Sequence, residues 1–228
     1  MSDAKNQILG RLRRSLKRDA LPAATKAELE VRMRTHARQL IPQRVVRDPA
    51  ALVELFVEMA VAANTAVTRI KSDSEVPAAV AHLLAQENLP AQLVASPALE
   101  HLPWGERPLL TVRFDRAHGP DAVSVTPAFA AIAETGTLML ISGADTPSTL
   151  NFLPDTHVVV LKAGDVVGPY EDALDRVRAQ ASGSGGNGMP RTINFVTGPS
   201  RTGDIEQQIQ LGAHGPRRLH ILLVEGDG

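Results

Sequence analysis

The chain has no cysteine among its 228 residues. Disulfides, thiolate nucleophiles and Cys-ligated zinc or iron–sulfur centres are therefore excluded from this polypeptide. Redox chemistry would need a bound organic cofactor or a partner protein. Aromatic residues make up only 3%, which leaves few stacking platforms for single-stranded nucleic acid. Long hydrophobic runs are also missing. Leu138–Ile141 and Ile221–Val224 are strand-sized, far below the roughly 18 residues of a membrane span. The first residues lack the apolar stretch and small-residue cleavage site of a signal peptide. The expectation is a cytoplasmic protein without a membrane span.

What is present is enough for a core, since 43% of residues are hydrophobic. The net charge of −1 is unevenly spread. Residues 1–47 carry 12 Lys/Arg and 4 Asp/Glu, a balance of +8; the remainder carries 12 and 21, a balance of −9. This divides the chain into a basic helical arm, 1–47, and an acidic body, 48–228. The arm reads as a solvated helix face, a nucleic-acid contact or a docking element. The scarcity of aromatics argues against nucleic acid.

Ile8, Leu9, Leu12 and Leu16 form a narrow stripe at helical spacing, and residues 25–40 read as a second polar helix. Asp48-Pro49 is an N-cap followed by proline at the first helical position. Leu52, Leu55, Phe56, Met59 and Ala63 then mark a core-facing helix. Short apolar strands are expected at 66–70, 92–95, 109–114, 123–125, 137–142, 157–161, 192–196 and 219–224. Helices are expected at 74–87, at 128–133, from Tyr170 to Ala181 and from Ile205 to Gly212. This alternation predicts an α/β fold with a largely parallel sheet covered by helices. The connection 143–156 has two prolines and no helical period; its length marks it as functional.

Ligands of open α/β sheets bind at the carboxyl ends of strands. The stretch Gly198-Pro-Ser-Arg-Thr-Gly-Asp204 reads as such a strand-to-helix loop. Gly198 lets the backbone approach a ligand. Ser200 and Thr202 offer hydroxyls, and Arg201 can hold a carboxylate or phosphate through two parallel hydrogen bonds. A helix start there would add free N–H groups, with Asp204 in its first turn competing for the anion. The Walker A ending is absent, and so is the second glycine of a nucleophile elbow at Ser200. The second candidate loop is Glu134-Thr135-Gly136-Thr137. A carboxylate flanked by apolar segments suits Glu134 to acid/base or nucleophilic work where burial favours its protonated form. Gly136 reads equally well as a helix-stop glycine. Of seven histidines, none forms a metal pair at i,i+4; His214 lies in a turn from which it could reach a ligand.

Three stretches together carry a resemblance. They are Ala131–Leu140, Leu153–Val160, and Thr197–Glu206 with Gly212–Arg217. The chain resembles the lactate utilization protein C family (LutC/YkgG, the LUD domain), most specifically over residues 123–225. The resemblance implies a fold like that of the NagB/RpiA/CoA-transferase group. It also implies a part in oxidising L-lactate to pyruvate within a three-protein set whose other members are cysteine-rich iron–sulfur proteins. This chain would then be a non-redox subunit without a cofactor of its own, binding the substrate carboxylate or organising those partners. The alternative is a free-standing transferase or ligase acting on an acyl, formyl or phosphorylated small molecule, with Glu134 as nucleophile or acid.

Overall fold

The computed structural model describes residues 2–17, 21–183, 188–202 and 210–226. Two units are distinguished, Met1–Leu40 and Ile41–Gly228. The first holds α1 (Ser2–Ser15) and α2 (Ala23–Thr35). Its apolar residues Ile8, Leu12 and Leu16 are exposed. Helix α2 ends before the expected residue 40. His36 adopts the left-handed conformation and its N–H closes the turn onto Arg32 O, the usual chemistry of a helix stop.

The second unit runs α3 (Pro49–Ala62), β1 (Ala66–Ile70), α4 (Val76–Gln86), β2 (Gln92–Ala95), β3 (Thr111–Phe114), β4 (Val123–Pro127), β5 (Ala130–Ile132) and β6 (Thr137–Ile141). It continues with β7 (Thr156–Lys162), β8 (Val166–Val167), α5 (Tyr170–Gly183), β9 (Ile193–Val196), β10 (Arg201–Thr202), β11 (Gln210–Leu211) and β12 (Arg218–Val224). Asp48 caps α3 by accepting from Ala51 N at 2.9 Å, with Pro49 in the first turn.

The main sheet is parallel throughout, in the order β1-β12-β7-β4-β2-β3. Its middle strands β7 and β12 read as near-continuous apolar runs because both faces are covered. One face packs Val125, Val158, Val160 and Leu222 on Val80 and Leu84 of α4 and on Trp104. The other packs Val159, Leu161, Ile221 and Leu223 on Leu55, Phe56 and Ala60 of α3.

A second sheet, ordered β8-β5-β6-β9, lies on that α3 side. Here the sequence expectation fails: residues 128–133 are not a helix. Ala131 and Ala133 face the main sheet's core while Ala130 and Ile132 face α5. All four are fully buried. The alternation is that of a strand buried on both sides, and six residues are too few to nucleate a helix against that packing. The following Ala133–Gly136 is a hairpin loop between paired Ile132 and Thr137, not a helix end. The expected last helix is also corrected at its end. Gln210–Leu211 pairs antiparallel with Arg201–Thr202, and residues 203–209 lie outside the described residues. Within the connection 143–156, Ser148–Asn151 forms a short 3-10 turn. It is pinned by the Ser124 hydroxyl donating to Leu150 O at 2.6 Å.

No helix among the described residues is long and apolar enough to cross a membrane.

Candidate functional site

Both glycine loops rest on the last turn of α3. Gly136 has φ +66°, and a Cβ there would lie 2.4 Å from Ala60 N. Gly198 has φ +74°, and its Cβ would lie 2.2 Å from Ala63 O. These positions demand glycine twice over, by backbone conformation and by close approach. The two loops are tied together by the hydroxyls of Thr137 and Thr197, 2.6 Å apart. Thr137 and Thr135 also bond each other, and both reach the Tyr170 hydroxyl at 3.0 and 2.9 Å. The hydroxyls of the Thr135–Thr137 motif are thus engaged with one another, as a clamp between two loops in which Thr137 is buried and Thr197 exposed. Thr137→Val keeps the shape but orphans the Thr197 hydroxyl. Thr197 is exposed, so water can replace the lost partner, and the change is expected to cost about 0.5–1.5 kcal/mol, read as a lowered urea midpoint at unchanged slope.

Beside this clamp opens a pocket of about 480 Å³. Its floor is formed by His157 and Leu219 at the starts of β7 and β12. Asn151 and Phe152 come from the long connection, Ala63 from the end of α3, Phe195–Arg201 from β9 and its loop, and His214–Pro216 from the approach to β12. Ser200 is held from three directions. Its N–H donates to Pro216 O at 2.8 Å, its carbonyl accepts from Gly212 N at 3.0 Å, and its hydroxyl accepts from His214 N at 3.3 Å. Among the described residues no acceptor takes the hydroxyl proton, which an occupant could use. Arg201 donates one guanidinium N–H to Ala63 O at 3.1 Å, which sets the cation against the carboxyl end of α3. Four further guanidinium protons remain by the chemistry of the group, roughly a fork's worth for an anion. No carboxylate partners Arg201 among the described residues.

Of the sequence candidates, Gly198, Ser200, Arg201 and His214 line this pocket. Glu134 does not; it is half-buried, and among the described residues its side chain has no partner. Thr135, Gly136 and Thr137 support the pocket through the clamp without lining it. Thr202 is placed in β10, and Asp204 lies outside the described residues. One expectation about the loop is corrected, and another lies outside the described residues. Arg201–Thr202 is strand β10, and the helix start expected at Asp204–Ile205 falls in 203–209, outside the described residues. The loop opens over the amino ends of β7 and β12. The reason is that β9 belongs to the second sheet, antiparallel to β6, so its carboxyl end points to the opposite edge from the one a single parallel sheet would give. A cavity at the expected carboxyl end of β4, about 640 Å³ and bordered by Pro127, Asp145 and Arg191, contains none of the motif residues.

Sequence reasoning missed His157. It is fully buried, its Nε2 is 2.7 Å from the Thr126 hydroxyl, and its Nδ1 has no partner among the described residues. Burial pushes its pKa down to about 3, so the ring is neutral at ordinary pH. The one signal in the sequence is a lone polar residue opening an apolar strand, His157-Val-Val-Val-Leu161. Phe152 and Phe195 were missed as well, because nothing in the chain says that two of its five phenylalanines stand half-exposed at one mouth. No cluster of metal-ligating side chains occurs among the described residues.

A family model described as the LUD domain matches residues 53–224. Lactate utilization protein C of Deinococcus radiodurans is 34% identical over 163 residues, which covers 67% of this chain and 70% of that protein. Lactate utilization protein C of Bacillus subtilis is 32% identical over 102 residues, 45% of this chain. The matched part spans only 42% of the Bacillus subtilis protein's length. The crystal structure of a DUF162 family protein from Deinococcus radiodurans superimposes with a TM-score of 0.57 at 25% identity, over 78% of this chain and 99% of that one. The family match takes in α3 from Val53 onward, both sheets and every pocket-lining residue, and by it the chain belongs to the LUD domain family.

Proposed function

We propose that this chain is a cytoplasmic, non-redox component of L-lactate utilization that holds a small carboxylate in the Ser200–Arg201 pocket. The observation that carries this reading is the convergence of the Arg201 guanidinium, the Ser200 hydroxyl and His214 on one cavity. A guanidinium that no carboxylate of the described residues partners, beside a serine hydroxyl, is a recognition set for a carboxylate. The names of the relatives in Bacillus subtilis and Deinococcus radiodurans supply the pathway. The absence of cysteine supports a division of labour, in which electrons pass through cysteine-rich iron–sulfur partner proteins. The basic arm, with 12 Lys/Arg in residues 1–47, is suited to holding such partners. Nothing in the pocket favours the free-standing transferase reading, since Glu134 stands outside its wall.

The test is lactate-dependent dye reduction by the reconstituted protein set, with and without this chain. Omission is expected to abolish turnover. Arg201→Ala, which removes a charge-assisted contact, is expected to weaken the apparent lactate affinity by roughly 10–100-fold. Equal rates with and without the chain would sink the proposal.

A further inference from the structure

The pocket is much larger than a three-carbon acid requires. Its volume of about 480 Å³ falls in the range of roughly 300–1,000 Å³ that holds drug-sized ligands. Ser200, Arg201 and His214 supply its anion-binding groups, beside the further polar residues Asn151, His157 and Thr197. Another boundary is apolar, from Phe152, Phe195 and Leu219. Phe152 is 42% exposed and Phe195 44%, in a chain with only 3% aromatic residues. Phe195 is anchored by Tyr170, with ring centroids 5.5 Å apart. Phe152 packs toward the Ser200 corner, since a Cβ on Gly215 would lie 3.5 Å from Ser200 Cβ and 3.9 Å from Phe152 Cδ1. An anion-binding corner beside two phenyl faces is complementary to an acid carrying a large apolar substituent.

Building on the carboxylate reading above, we propose that the pocket accepts 2-hydroxy carboxylates with bulky apolar side chains, and prefers them to lactate. The carboxylate sits at Arg201 and Ser200. The side chain, aromatic or branched, covers Phe152, Phe195 and Leu219. Apolar area removed from water on both surfaces then adds to the same polar anchor.

The experiment is calorimetric titration of the full chain with L-lactate and with L-3-phenyllactate, in the native protein and in Phe152→Ala. The native protein is expected to bind phenyllactate on the order of tenfold or more tightly than lactate. In Phe152→Ala the ratio between the two acids is expected to fall toward one. Phe152 is the better probe of the two rings because it takes no part in the Tyr170 stack. Lactate binding with phenyllactate equal or weaker overturns this inference and leaves the carboxylate reading standing. A preference for phenyllactate that survives Phe152→Ala undiminished also overturns it, because the substituent then lies elsewhere. Binding of neither acid overturns both.

Discussion

Gly198→Ala and Gly136→Ala are each expected to destabilise the protein by roughly 2–6 kcal/mol, combining about 1–3 for a left-handed alanine with about 1–3 for overpacking. In both cases the new methyl meets backbone, not a flexible side-chain tip. At Gly198 it would lie 2.2 Å from Ala63 O, and at Gly136 within 2.5 Å of Ala60 N and Met59 C. The end of α3 cannot move aside cheaply, because Phe56 and Ala60 are fully buried in the core between the sheets. Urea unfolding should show a much lower midpoint for either variant. Gly105→Ala is the control, since no atom lies within 4 Å of its added Cβ; it should change stability by no more than about 0.5 kcal/mol. The Gly198 variant should also lose ligand binding in whatever fraction stays folded, because Ala63 O is the acceptor that orients Arg201.

Acid should act on the fold through His157. Its folded pKa of about 3 lies below the ordinary value of 6.5 because the ring is fully buried. The unfolded chain therefore binds a proton that the folded chain refuses between these two values. The stability contributed by the neutral ring is full above pH 6.5 and is lost progressively as pH falls toward 3. At about 1.36 kcal/mol per pH unit the loss approaches roughly 4–5 kcal/mol as an upper bound. His220, lowered in the same direction by burial and bonded to Thr68, adds a loss of the same sign. Asp121, held below its usual range by Arg113 and the His118 N–H against the opposing effect of burial, does likewise. The contribution of His157 is thus isolated only by difference. Urea unfolding across pH 4–7 should give a flatter pH dependence for His157→Gln than for the native protein. Parallel pH profiles would show that the ring is not the group refusing the proton.

The legible parts of this protein were those where one physical requirement acted alone. Buried on both faces, β7 and β12 had to be unbroken apolar runs, and they could be read as strands directly. The cap at Asp48 and the stripe from Leu52 to Ala63 likewise gave α3 without help from tertiary structure. Strand β5 was not legible because alanine favours a helix locally, and only the squeeze between two layers makes it a strand. That single misreading hid the second sheet and with it the true direction of β9. The pocket was consequently expected at the other end of the main sheet, while Gly198, Ser200, Arg201 and His214 line one cavity in the structure. Glu134 was grouped with them because its loop, flanked by apolar segments, is another of the stretches that carry the family resemblance. The clamp of Thr135, Thr137, Thr197 and Tyr170 joins the two loops without bringing the carboxylate into the cavity. His157, Phe152 and Phe195 converge from separate elements, and no local pattern marks such a meeting.

In the proposed function an anionic ligand seats between the Gly198–Arg201 loop and the His214–Pro216 turn. The most direct test is titration of ¹⁵N-labelled protein with L-lactate, followed by backbone amide and arginine Nε–H shifts. The perturbations should concentrate at Asn151, Phe152, Phe195 to Arg201 and His214 to Gly215, with the Arg201 side chain among the largest. Shifts that cluster instead around Asp145 and Arg191 at the far cavity, or none at saturating lactate, would contradict the assignment of this pocket.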